Sequence, residues 1–138
     1  MMARMSTDGI SQLAISLEEI HEIPDDVLDQ MLEAEADVIE KAQKDKGKAY
    51  GVHRTGVTIG SIKRTKTSKI KDGRAIYITP MGTNADGNRN AEVAFINEFG
   101  KHGQPARPFI RDANEEKADD AVSAAAAVYD KFLSSKGL

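Results

Sequence analysis

An Asp-Gly step at residues 72–73 stands between two short runs that alternate in polarity, and this pattern leaves the chain few ways to fold. Such dipeptides suit the tight reversal of a β-hairpin, because both residues tolerate the backbone angles that a primed turn needs. After it, Ile76 and Ile78 fall on one side and Tyr77 on the other, the two-residue period of a strand. Before it, residues 63–71 alternate basic and hydroxyl side chains around Ile70. We therefore expect a β-hairpin across residues 65–79. A lone hairpin is marginal in water, so its apolar side needs a cover.

Two amphipathic stretches can supply that cover. Pro24, Asp25 and Asp26 make a good helix start: proline suits the first turn, and the acids suit the positive end of the dipole. Leu28, Met31, Leu32, Val38, Ile39 and Ala42 then recur at helical spacing, and residues 47–51 end the pattern. The opposite side carries Asp29, Glu33, Asp37 and Glu40 in line. A second stripe follows Pro108: Phe109, Ala113, Ala121, Val122, Ala125, Val128, Tyr129 and Phe132. Between hairpin and second helix, residues 91–99 are apolar enough for one buried side, with Val93, Phe95 and Ile96 as the expected core face. Residues 10–23 read as either a strand or a helical lead-in, and residues 57–62 as either a helical turn or a strand. Residues 81–90 are turn formers and read as a loop. The expected architecture is α+β, two long helices packed on a small antiparallel sheet with a β-hairpin. We expect one domain over residues 24–138, preceded by a partly flexible segment at 1–23.

Charge is segregated along the chain, although the formal net charge is only −3. Residues 5–40 carry acidic side chains and no Lys or Arg. Residues 41–74 carry eleven basic side chains, opposed only by Asp45 and Asp72. Such blocks pair within a fold, pair between subunits, meet nucleic acid, or stay as solvated faces. The run Lys63, Arg64, Lys66, Lys69, Lys71 and Arg74 is the best ligand candidate, able to follow phosphates without reading sequence. It lacks the interleaved aromatics of single-strand binding surfaces, so the alternative is a sheet edge guarded by lysines.

Little in the sequence speaks for catalysis. The chain has no cysteine, which removes disulfides, thiol chemistry and Cys-ligated metal. His21, His53 and His102 have no metal-ligand spacing. Asn84, Asp86 and Asn88 lack the downstream glutamate of a calcium loop. No glycine-rich phosphate loop or nucleophile elbow is present. Glu98 with Arg107 or Arg111 reads as a structural ion pair. No cofactor is expected, and no apolar run approaches the roughly 20 residues of a membrane span.

Three pieces carry a resemblance: TGVTIGSI at 55–62, AFINEFG at 94–100 and PARPFIRDA at 105–113, followed by a long Ala-rich helix. Together they resemble a family of small neck and tail-completion proteins of long-tailed bacteriophages. The matching positions are Thr55, Gly56, Ser61, Ile62, Glu98, Phe99, Gly100, Arg107, Pro108 and Phe109. Thr58, Lys101 and Asp112 depart from the usual pattern, which has leucine, threonine and proline there. The resemblance implies a virion or assembly protein without catalysis, made in a bacterial cytoplasm. It would act on other neck or tail proteins, as a homo-oligomeric ring around the DNA passage. The motif residues take fold-defining roles in this reading. Gly100 ends an element at positive φ, Phe109 plugs the core, and Arg107 caps carbonyls or pairs with Glu98.

Overall fold

The computed structural model describes residues 2–7, 13–18, 23–52, 57–71 and 73–137. Two strands come first, β1 (Met2–Thr7) and β2 (Leu13–Glu18), then the long helix α1 (Asp25–Ala49). A single helical turn, α2 (Val57–Gly60), precedes β3 (Ile62–Arg64), β4 (Ser68–Ile70) and β5 (Gly73–Pro80). Helices α3 (Asn90–Phe99) and α4 (Phe109–Ser135) complete the chain. The molecule is α+β, with two long helices over a small antiparallel sheet containing the expected hairpin.

The sheet runs β1-β2-β5-β3, and β4 also pairs with β5. All pairings are antiparallel. Since β2 occupies one side of β5, β3 and β4 share the other side, end to end. Residues 13–18, left open between strand and helix, form a strand against β5, so part of the first 23 residues belongs to the sheet. The reversal lies between Ile70 and Gly73, one residue earlier than the Asp-Gly step implied. Residues 57–62 resolve into both alternatives, a helical turn and then a strand.

The β3–β4 strand changes phase midway. Arg64 faces Ile78, and Ser68 faces Ala75, so residues 65–67 oppose only residues 76 and 77. One extra residue makes a bulge. Thr65 holds it: its N–H donates to the Tyr77 carbonyl at 2.8 Å, and its Oγ1 accepts from the Tyr77 N–H at 3.1 Å.

Helix α1 starts after Pro24, with Asp25 and Asp26 in its first turn and Lys46 and Lys48 in its last, both favourable to the dipole. Its buried Leu28, Met31, Leu32 and Ile39 join Ile62, Ile76 and Ile78 of the sheet and Phe109, Ile110, Ala121 and Ala125 of α4 in one cluster. Full burial of a side chain such as Phe109 contributes roughly 2–3 kcal/mol. Gly47 lets this end of α1 close, because a Cβ there would lie 3.0 Å from Ile59 Cγ1 and 3.3 Å from Phe109 Cδ2. Helices α1 and α4 run antiparallel. Their seam is polar at one end, where Gln43 Nε2 donates to Asn114 Oδ1 at 3.0 Å and Lys46 pairs with Glu116.

The charge blocks meet within the chain. Arg64 reaches from β3 to α1, where it pairs with Glu33 at 2.9 Å, Asp37 at 2.5 Å and Glu40 at 3.5 Å. Arg74 on β5 donates from Nε to Asp29 at 2.5 Å and lies 4.0 Å from Asp25. Guanidinium suits this bridging, since its fixed fork serves several carboxylates at once. Glu33, Asp37 and Asp25 are exposed, while Glu40 and Asp29 are partly buried, so the effect is modest. Arg64→Ala is expected to cost about 1 kcal/mol in dilute salt and less at high salt. Urea unfolding at two ionic strengths checks this, and an equal cost at both would remove the electrostatic account.

Two expected core positions turn outward. Phe95 is 51% exposed and Val122 is 41% exposed. The expected face of Val93, Phe95 and Ile96 gives way to Asn90, Ala94 and Glu98. Polar anchoring sets this rotation of α3. Asn90 Nδ2 donates to the Met81 carbonyl at 2.8 Å, and Glu98 reaches α4. With those two inside, the helical repeat leaves Phe95 and Phe99 outside.

Candidate interaction surface

Glu98, Gly100, Arg107, Pro108 and Phe109 come together where the end of α3, the start of α4 and the end of α1 meet. Glu98 is buried, and its two oxygens accept the N–H groups of Ile110 and Arg111 at 2.9 and 3.0 Å. Those are orphan donors of the first turn of α4, so Glu98 caps a helix from outside it. Burial raises its pKa, and the two N–H groups and the Arg111 charge oppose the rise. The ion pair with Arg107 expected as one option is replaced by this cap.

Arg107 takes the other option. Its Nη1 donates to the Gly51 carbonyl at 3.0 Å, just past the end of α1. Its N–H donates to the Asn97 carbonyl at 2.6 Å, which ties the 100–108 loop back onto α3. Gly100 ends α3 with φ 77°. A Cβ there would meet the Gln104 carbonyl oxygen at 2.7 Å and the Ala106 nitrogen at 2.8 Å, so only glycine fits. Pro108 precedes α4, and Phe109 is fully buried. Ser61 Oγ donates to the Thr58 carbonyl at 2.6 Å, and Ile62 is fully buried. Thr55 and Gly56 lie outside the described residues, as do His21 and His53.

Asp112 has work of its own. Tyr50 donates its hydroxyl proton to Oδ2 at 2.5 Å, binding the end of α1 to the first turn of α4. That bond, with Arg111 and Lys46 nearby, lowers the Asp112 pKa. Asn84 organises its own loop, accepting the N–H groups of Asp86 and Asn88 at 3.0 Å each.

Two surfaces remain after this accounting. Lys63, Lys66, Lys69 and Lys71 are exposed along the outer β3–β4 edge, while Arg64 and Arg74 turn to α1. The basic run expected as one ligand surface is thus divided: arginines inward, lysines outward. On α3, Phe95 and Phe99 stand exposed with ring centroids 5.2 Å apart. Phe99 was expected among the fold-defining residues, yet it is 60% exposed and lies outside the core. The sequence signal for this pair was its four-residue spacing, out of step with Asn90, Ala94 and Glu98.

Among the described residues, no group of three or more His, Cys, Asp or Glu could hold a metal ion. No described helix is long and apolar enough to cross a membrane. No protein-family model, curated protein or solved structure matches the chain.

Proposed function

We propose that this chain is a structural or assembly protein of a tailed bacteriophage or prophage, acting in tail completion or head–tail joining through protein–protein contacts. The exposed Phe95–Phe99 pair carries the reading. The polar motif side chains Glu98 and Arg107, and Asp112 beside them, are spent on fixing the fold, whereas these two aromatics face water. Exposed, adjacent aromatics are the residue type that anchors protein interfaces. Nothing in this reading needs a catalytic group or a cofactor. The protein works among other neck and tail proteins, as a homo-oligomer, in the virion or during its assembly.

The test is electron microscopy of lysates from a phage or induced prophage lacking the gene. Full heads beside separate or malformed tails are expected. Normal infectious particles would overturn the reading.

One observation favours a second reading, a nucleic-acid-binding accessory protein. With its arginines committed to α1, the hairpin still presents Lys63, Lys66, Lys69 and Lys71 to solvent. Lysines in a row bind phosphates as point charges, and the affinity falls steeply with salt. Under this reading, duplex DNA binding at low salt is expected, and Lys66→Glu with Lys69→Glu abolishes it. Absence of binding at low salt would dismiss it. If the lysines instead meet a neighbouring subunit, the same double variant blocks particle assembly and leaves DNA out of the account.

A further inference from the structure

The two edges of the sheet are built differently. On one side, β3 and β4 present a bulge and the exposed Lys63, Lys66, Lys69 and Lys71, both ordinary guards against an added strand. The other edge is β1, and among the described residues nothing pairs with it except β2. It keeps one unbroken register with β2, from Met2 opposite Glu18 to Thr7 opposite Leu13. Its sequence, MARMST, holds one Arg and no Lys, Pro or acidic residue. Such an edge offers backbone N–H and C=O groups in an unbroken row, the template for a further antiparallel strand.

The pleat restricts how a second copy can use this edge. Antiparallel strands related by a two-fold axis need that axis perpendicular to the sheet, and residues set opposite each other share a face. The axis therefore passes through a residue of β1 and not between two. Met5 is in line with Ile15 and Ile76, and Ile76 is fully buried in the cluster beneath α1, so Met5 takes a position on the helix-covered face. Arg4 and Ser6 take positions on the other face. An axis at Arg4 sets that residue against its own copy, a like-charge pair directly opposite. An axis at Met5 sets Arg4 against Ser6 and Ala3 against Thr7, which pairs residues 3–7 of the strand. An axis nearer either end pairs three residues of the strand or fewer. We propose that β1 pairs antiparallel with β1 of a second copy of this chain, about a two-fold axis at Met5. The two sheets become one, with both helical layers on the same side. Since the β3–β4 edge is guarded, β1 is the edge that one copy can offer another, and the pair closes at two copies. Such a contact is isologous, one patch meeting itself. The inference stands on strand order and register, and it holds or fails independently of the virion reading.

Sedimentation velocity over a concentration series of the full chain tests it, with backbone hydrogen exchange of residues 3–7 followed at each concentration. The wild type is expected to pass from monomer to dimer, and exchange at these residues slows as it does. Ser6→Arg sets a second arginine opposite Arg4 at two symmetric points and is expected to weaken the dimer by about tenfold. Its position is on the face away from α1, so far-UV circular dichroism is expected to stay unchanged. Adding Arg4→Glu to Ser6→Arg turns both points into opposite-charge pairs and restores the dimer. A wild type that stays monomeric throughout would overturn the proposal and leave this edge to a strand of another protein. So would a double variant no better than Ser6→Arg alone. A dimer that ignores Ser6→Arg, or that forms without slowing exchange at residues 3–7, would put the contact on another surface and equally overturn it.

Discussion

Glu98→Ala is expected to destabilise the protein by about 3 kcal/mol. Glu98 is buried, and it satisfies two N–H groups at the start of the 27-residue helix α4. Alanine leaves both donors without their acceptor, the Ile110 N–H in a buried place and the Arg111 N–H in a partly buried one. It also removes a negative charge from the positive end of the helix dipole. Glu98→Gln keeps one acceptor and is expected to cost about half as much. Equilibrium unfolding in urea gives both values. A loss under about 1 kcal/mol for Glu98→Ala would mean that α4 starts without help from α3.

Glu35 produces the second large effect, with the opposite sign. It lies on the buried side of α1 at 1% exposure, and its Oε1 has no hydrogen-bond partner among the described residues. Burial raises its pKa from the ordinary 4.5 to about 7. The folded protein therefore holds this proton where the unfolded chain has released it. Between these two values the folded state binds more protons, so stability falls as pH rises through the window and levels off above it. The shift corresponds to a loss of about 3 kcal/mol across that range. Glu35→Met, similar in volume and free of charge, is expected to be more stable than wild type near pH 8 by about that amount. The difference between the two proteins should shrink steadily toward pH 5. A difference that does not vary with pH would show that Glu35 does not titrate in this range.

The fold was legible where one physical signal dominated. Residues 24–50 and 108–135 announce their helices by apolar spacing and by the prolines before them, and the hairpin announces itself by alternation around a turn. The α3 region was not legible, because hydrophobicity and anchoring point in different directions there. Phenylalanine belongs inside by transfer free energy alone, but a ten-residue helix has one inner face. Asn90 and Glu98 claim it through bonds to groups distant in sequence, which no local pattern reveals. The same limit hid Glu35, whose carboxyl looks like one more member of the acidic block. The basic run was visible as charge, but its division required knowing that Arg64 and Arg74 reach α1. For the motif residues, the sequence indicated Gly100, Arg107 and Phe109 by type. It could not indicate that Glu98 serves α4.

The extra residue at 65–67 has a consequence for how copies of this protein can meet. A strand added from another chain must keep a steady register with the strand it joins. The β3–β4 edge slips by one position halfway along, so an incoming strand in step with β3 is out of step with β4. The sheet thereby terminates its own growth on that side, and crowding many copies into one place does not recruit this edge into fibrils. Association there is left to side chains, which can be selective, instead of to backbone, which cannot.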